Sequence, residues 1–309
     1  MSVLHAPGSF SSEQEAEEYV VACERAFARQ VDEVSARLSA MPDLKFIGLS
    51  GPTCAGKTTA AGILTDHLVR GGHRVHLISL DNFFREQPDG RRLMEDPDGA
   101  KKLDFDSVEA LDLPLLTSAL DSLMQTGSMC VPRYDLGRGR RQGVETVTAE
   151  DASDVFLFEG IQVVYPQVNA LLRRYPYHSM AICVGQSLDV GGVTYDPVDI
   201  RLMRRLVRDY FFRSSDAQFT FFLWESVRAN EQKNILPHLY MCDETLHSLM
   251  GYEVGMLRPY LETILGQLPE ASVYRPMADR ILENISSVQP LMTQWLPASA
   301  LYREFVPLQ

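Results

Sequence analysis

From Glu13 to Leu38 apolar residues recur every three or four positions (Val20, Cys23, Phe27, Val31, Val34, Leu38) with charges between them, which predicts an amphipathic helix. Met41-Pro42-Asp43 breaks it. Residues 44–50, LKFIGLS, are a short apolar run that enters a Gly-rich turn, and a helical stretch follows from Lys57 to Arg70. Gly71-Gly72 stops that helix, and residues 74–80, RVHLISL, read as the next buried strand. Strand, loop, helix, strand is how a parallel, doubly wound sheet begins. Residues 1–10 read as a loose tail.

Asp81 to Lys102 is polar and contains Gly and Pro, the composition of a long functional loop. A helix is expected from Ser107 to Met124, then a hairpin over 128–148, with strands at 154–160 and 178–184 and a short helix near 167–174 between them. From Val198 the chain reads as mostly helical, broken near Pro237, Pro269, Pro276 and Pro297, with no internal repeat. The expected organisation is α/β. An N-terminal tail and helix occupy 1–42, a core with a mostly parallel doubly wound sheet and flanking helices 43–240, and a helical extension packed on the core 241–309.

Composition narrows the partners. With 29 Lys+Arg against 41 Asp+Glu the net charge is -12, which argues against non-specific binding to nucleic acid or an anionic membrane. Positive charge must then be concentrated locally, so arginine clusters become informative. Five cysteines without a CxxC spacing read as reduced thiols of a cytosolic protein. The acidic N-terminus has no apolar signal region, and no run approaches the roughly 18 apolar residues of a membrane span, so a cytoplasmic location is expected.

Gly51-Pro52-Thr53-Cys54-Ala55-Gly56-Lys57-Thr58 satisfies GxxxxGK[ST] after a strand and at the opening of a helix. Glycines turn backbone N–H groups toward a phosphate, and the helix N-terminus adds its positive end. Lys57 is expected at the β/γ-phosphates and the Thr58 hydroxyl at Mg²⁺. GTPases, motor ATPases and small-molecule kinases share such a loop, so the other strand ends decide. Asp81 follows the second strand and Glu159 closes the third, before Gly160. A carboxylate at the second could take a proton from an attacking hydroxyl; one at the third could hold Mg²⁺. The base-reading NKxD of GTPases is absent. Arg201, Arg204, Arg205 and Arg208 recur at i, i+3, i+4, i+7, so they share a helix face. That face suits a mobile lid near 199–216 that clamps a triphosphate, or else a solvated face paired with Asp199 and Asp209.

Taken in order, these segments resemble the phosphoribulokinase/uridine kinase family of P-loop kinases from about Lys45 to Pro237. The carriers are GPTCAGKTT (51–59), SLDNFFR (79–85), DFDSVEALD (104–112), PRYDLGRGRR (132–141), LFEG (157–160) and DIRLMRRLVRD (199–209). The nearest likeness is a bacterial uridine kinase-like branch, with similar segments to LWESVRANEQKNILP (223–237) and LYREFV (301–306) but without its N-terminal TGS module.

The resemblance implies an ATP- and Mg²⁺-dependent transfer of the γ-phosphoryl to the 5′-hydroxyl of a nucleoside, uridine- or cytidine-like, by a P-loop kinase fold that is often oligomeric. It puts Asp81, Lys57, Arg204 and Arg208 in catalysis. ATP would be bound by Gly51 to Thr59 with Arg201 and Arg205, the acceptor by Asp81, Phe84, Asp106, Tyr134 and Arg141, and the metal by Thr58, Glu159 and Asp81. Asp106 also opens a good capping box, Asp106-Ser107-Val108-Glu109. Gly139 stands where uridine kinases carry a base-contacting His, and Leu136 where they carry an aromatic residue, which opens the question of pyrimidine selectivity. The Arg133–Arg141 cluster suggests a sugar phosphate or other polyol as the alternative acceptor, and the long C-terminal helices suggest a nucleotide-sensing interaction protein without chemistry. His73 and His76 lack a third ligand and read as ordinary surface and core residues.

Overall fold

The computed structural model describes residues 2–86, 93–95, 101–103, 105–151 and 153–307; part of the loop expected over Asp81–Lys102, and Asp104, lie outside these residues. Strand β1 (Val3–Ala6) and helix α1 (Glu13–Ser39) precede β2 (Phe46–Ser50), α2 (Lys57–Arg70) and β3 (Arg74–Ser79). A small pair, β4 (Leu93–Glu95) and β5 (Lys101–Leu103), comes before α3 (Leu113–Thr126) and the hairpin β6 (Ser128–Asp135) and β7 (Arg140–Thr148). Then come β8 (Asp154–Glu159), α4 (Pro166–Leu172), β9 (Tyr177–Cys183), β10 (Ser187–Val190) and β11 (Val193–Tyr195). The remainder is α5 (Pro197–Arg213), α6 (Ala217–Asn230), α7 (Leu236–Leu239), β12 (Glu244–His247), α8 (Glu253–Gly266) and α9 (Arg275–Ile285).

Five strands in the order β12-β9-β2-β8-β3 form one parallel sheet. β2 and β8 are buried along their whole length, as strands covered on both faces must be. Register carries the consequence for function. Leu49 lies opposite Glu159, and Glu159 opposite Ser79. Three carboxyl ends therefore stop level on adjacent strands, each about 4.8 Å from the next. The Gly-rich turn, Glu159 and Asp81 leave from that one edge.

One sheet face is covered by α1, α2, α5, α8 and the C-terminal residues, the other by α3, α4 and the hairpin. α1 begins with reciprocal bonds: Ser12 Oγ accepts from the Glu15 amide, and Glu15 accepts from the Ser11 amide. It buries Val20, Phe27, Val31, Val34 and Leu38, as its spacing predicts.

Three expectations are corrected. Residues 3–6 are not a loose tail but pair in parallel with β10, because β10 and β11 offer a free edge. The helix expected from Ser107 divides into a 3-10 turn, Val108–Ala110, capped by Ser107, and α3, capped by Asp112 with Pro114 in its first turn. The segment 241–309 is not purely helical, since β12 completes the main sheet.

Glu24 of α1 is buried and accepts from the Tyr252 hydroxyl. Burial pushes its carboxyl above the ordinary value, against hydrogen bonds from Tyr252 and the Leu301 backbone. The fold thus favours the protonated acid, and stability is lost as pH rises from the unfolded value through the raised one. Glu24→Gln stays neutral and keeps the acceptor. Its Tm is expected to match wild type at about pH 4 and to exceed it at about pH 8. Thermal melts check this, and a variant less stable at both values contradicts it.

Candidate functional site

The turn after β2 has little steric freedom. A Cβ at Gly51 would stand 2.1 Å from the Ile182 carbonyl oxygen, so only glycine passes. Gly56 adopts φ 90 and caps α2, and Cys54 adopts φ 58 without being glycine. This left-handed residue is held by its neighbours. Arg204 Nη1 donates to the Cys54 carbonyl at 3.0 Å, and Arg201 Nη1 to the Thr53 carbonyl at 3.1 Å. The Thr53 amide donates to Glu231 Oε1 at 3.1 Å.

Both arginines are paired with buried acids from later segments. Arg201 meets Glu231 at 2.5 Å and Arg204 meets Glu253 at 2.5 Å. The Arg204 guanidinium also lies over the Phe305 ring at 4.8 Å and the Tyr302 ring at 5.5 Å. Arg205 pairs with Asp209 at 3.1 Å and stacks on Trp224. Residues 200–209 of α5 are buried throughout. The alternative of a solvated face is corrected: α5 is buried against the core, and Arg201 and Arg204 grip the loop's backbone. Arg201, Arg204 and Arg205 do not line the cavity above the loop, because burying a guanidinium requires a partner acid and each has found one. Arg208 alone of the four reaches the cavity, while pairing with Asp209 at 2.7 Å.

That cavity, of about 340 Å³, brings together Lys57, Thr58, Asp81, Phe84, Asp106 and Glu159, which sequence had nominated from four separate segments. Asp81 sits in the 3-10 turn Leu80–Phe83. Burial and the neighbouring Glu159 charge push its carboxyl up to about 6, against Lys57 and Arg213. Burial lowers the Lys57 ammonium, opposed by Glu159 and Glu304. Its Nζ donates to the Pro52 carbonyl at 3.1 Å, folded back over the loop. Ser107, not Asp106, caps the following turn, so the capping role once open to Asp106 belongs to its neighbour.

Tyr134 and Arg141 stand behind this lining rather than in it. The Tyr134 hydroxyl donates to the Arg85 carbonyl at 2.9 Å, and its ring packs edge-on against Phe84. Arg141 Nη2 donates to Asp112 and to the Phe84 carbonyl. Both buttress Phe84. The lining also includes Leu136, noted in sequence as a departure from the aromatic residue of uridine kinases, and Phe105, Gln162, Arg213 and Glu304, which sequence reasoning had not nominated. Glu304 lies 245 positions from its partner Thr59, and no local pattern announces such a contact.

The donors fit Mg²⁺ bound through a hydroxyl, one or two carboxylates and phosphate oxygens, a set that Thr58, Glu159 and Asp81 supply. Among the described residues no cluster of three or more His, Cys, Asp or Glu forms an all-protein cage, and Mg²⁺ does not require one. The loop amides and Lys57 fit a phosphate chain.

Two outcomes follow from this geometry. The Asp81 carboxyl is expected to titrate near 6 in the free protein, and Glu159→Gln to lower that value by removing a like charge; carboxyl NMR titration reads both, and an unchanged value contradicts the coupling. Arg204→Met leaves Glu253 buried without its cation and is expected to cost about 3–5 kcal/mol of stability. Denaturant melts measure this, and a cost below about 1 kcal/mol contradicts a structural role for the pair.

Residues 46–250 match the model of the Phosphoribulokinase / Uridine kinase family. The uridine kinase of Halobacterium salinarum is 29% identical over 172 residues, 56% of this chain and 65% of that protein. A chloroplastic uridine/cytidine kinase of Arabidopsis thaliana is 31% identical over 170 residues, 55% of this chain. The chain thus spans 65% and 30% of these two relatives. A phosphoribulokinase from Rhodobacter spheroides superposes with a TM-score of 0.45 at 14% identity, covering 80% of this chain and all of that one. With the family model spanning the loop, both acidic strand ends and the arginine helix, the chain belongs to the phosphoribulokinase/uridine kinase family.

Proposed function

We propose that the chain transfers the γ-phosphoryl of ATP to the 5′-hydroxyl of a nucleoside, uridine- or cytidine-like. The observation that carries the reading is the one cavity that brings Asp81 together with Lys57, Thr58 and Glu159, where burial and the Glu159 charge raise the Asp81 carboxyl to about 6. A group with such a value is ionised at neutral pH yet basic enough to receive a proton. The hydroxyl oxygen forms its bond to the γ-phosphorus as Asp81 accepts the proton, and the bond to the β,γ-bridging oxygen breaks to release ADP. Lys57 and Arg208 offset the charge on the transferring group. Mg²⁺ held by Thr58 and Glu159 would neutralise phosphate oxygens. Asp106, together with the Phe84 and Phe105 rings at 4.8 Å, offers a carboxylate for ribose hydroxyls and an apolar wall for a base. Leu136 in that lining gives the base an apolar contact, without a hydrogen-bonding side chain there.

The alternative of a sugar phosphate acceptor rested on the Arg133–Arg141 cluster. Arg133 pairs at the surface with Glu145 at 3.0 Å and Arg141 with Asp112 at 2.9 Å, and neither lines the cavity. Lys57, Thr58, Asp81 and Glu159 gathered in one cavity favour chemistry over an inert nucleotide sensor. No helix among the described residues is long and apolar enough to cross a membrane.

Asp81→Asn is expected to lower kcat by at least about 100-fold while leaving the Kd for Mg·ATP within about threefold. ADP release with a panel of uridine, cytidine, purine nucleosides, polyols and sugar phosphates reads the acceptor. Product from a sugar phosphate alone, or from none of the panel, overturns the nucleoside reading.

A further inference from the structure

The C-terminal turn Leu301–Glu304 is built against the phosphate loop, although nothing in the proposed chemistry uses it. Leu301 methyls come within 3.0 Å of where a Cβ would stand at Gly56. Tyr302 donates to Glu253 at 3.2 Å, and Phe305 lies under the Arg204 guanidinium. So anchored, the turn delivers Glu304 into the cavity. Its Oε2 accepts from the Thr59 hydroxyl at 2.9 Å and from the Thr59 amide at 3.4 Å.

Thr59 is the third residue of α2, and its amide is one of the first-turn N–H groups without an intrahelical acceptor that make a helix N-terminus an anion site. An ionised carboxylate on that amide does there what a phosphate oxygen would do. It also adds negative charge near Lys57, favouring the charged ammonium in the absence of nucleotide. A triphosphate cannot share the Thr59 donors with Glu304 without two anions meeting at contact distance.

We propose that Glu304 is a residue of the nucleotide site that competes with the phosphate chain for Thr59 and so sets the affinity for ATP. On binding, the carboxylate yields the Thr59 amide and hydroxyl to phosphate oxygens, and the protein's own anion is exchanged for the ligand's. Because Tyr302 and Phe305 hold the same turn on Arg204, the side chain can withdraw without loss of the turn. The inference rests on the nucleotide reading of the loop and not on the identity of the acceptor.

The test is calorimetric binding without acceptor, comparing wild type with Glu304→Gln and Glu304→Ala for Mg·ATP, inorganic tripolyphosphate and adenosine. Both variants are expected to bind Mg·ATP and tripolyphosphate about tenfold more tightly, the size of one like charge removed at the loop. Adenosine, which carries no phosphate, is expected to bind all three proteins alike. Unchanged or weaker Mg·ATP binding in both variants overturns the inference and leaves the kinase reading standing. An equal gain for adenosine also overturns it, by making the segment a steric block. If no protein binds Mg·ATP, the inference falls together with the nucleotide reading. Failure of every acceptor in a turnover assay leaves this binding measurement intact.

Discussion

The buried pair of Arg204 and Glu253 is the joint on which the site hangs. One guanidinium reaches the Cys54 carbonyl in the phosphate loop, the Ser248 carbonyl after β12, Glu253 at the start of α8 and the rings of Tyr302 and Phe305. A charge wholly removed from water survives only with an opposite charge and saturated donors, and this arrangement supplies both. The sheet, the phosphate loop and the C-terminal segment are therefore coupled through one side chain. The loop's left-handed Cys54 persists because its carbonyl is held from outside.

Charge is arranged in two layers around that joint. Behind the loop, Arg201 and Arg204 are neutralised by Glu231 and Glu253 and act on backbone carbonyls. In front, Lys57, Arg208 and Arg213 face Asp81, Asp106, Glu159 and Glu304 in one cavity. Burial raises the Asp81 carboxyl, and repulsion from Glu159 in the same layer adds to it. A site rich in acids that is to receive a polyphosphate depends on cations arriving with the ligand, which is the electrostatic case for Mg²⁺. Glu304 belongs to this layer through its contact with the Thr59 amide in the first turn of α2.

Much of this was legible in sequence wherever the signal was local. The apolar runs at 44–50 and 154–160 became β2 and β8, and a Gly-rich turn between strand and helix placed Lys57 and Thr58. Asp81 and Glu159 were readable as strand ends because parallel strands align their carboxyl edges. The arginine spacing was real, but its meaning was not legible. Periodicity puts four arginines on one face and is silent on whether water or Glu231 and Glu253 meets them, since those acids lie 30 and 49 residues away. Strand β1 was missed because four residues pairing with a distant edge carry no period of their own. Tyr134 and Arg141 kept their places in the motif yet spend their polar groups on Arg85, Asp112 and Phe84, a second rank that spacing cannot separate from the first.

The central claim is that one cavity holds the phosphate chain on the clamped loop and the acceptor hydroxyl at Asp81. A crystal structure with Mg²⁺, a non-hydrolysable ATP analogue and uridine measures it directly. The 5′-oxygen is expected about 2.6–3.2 Å from an Asp81 carboxylate oxygen and in line with the γ-phosphorus. A nucleoside seated outside this cavity, or an Asp81 turned away from the 5′-oxygen with the analogue in place, would contradict it.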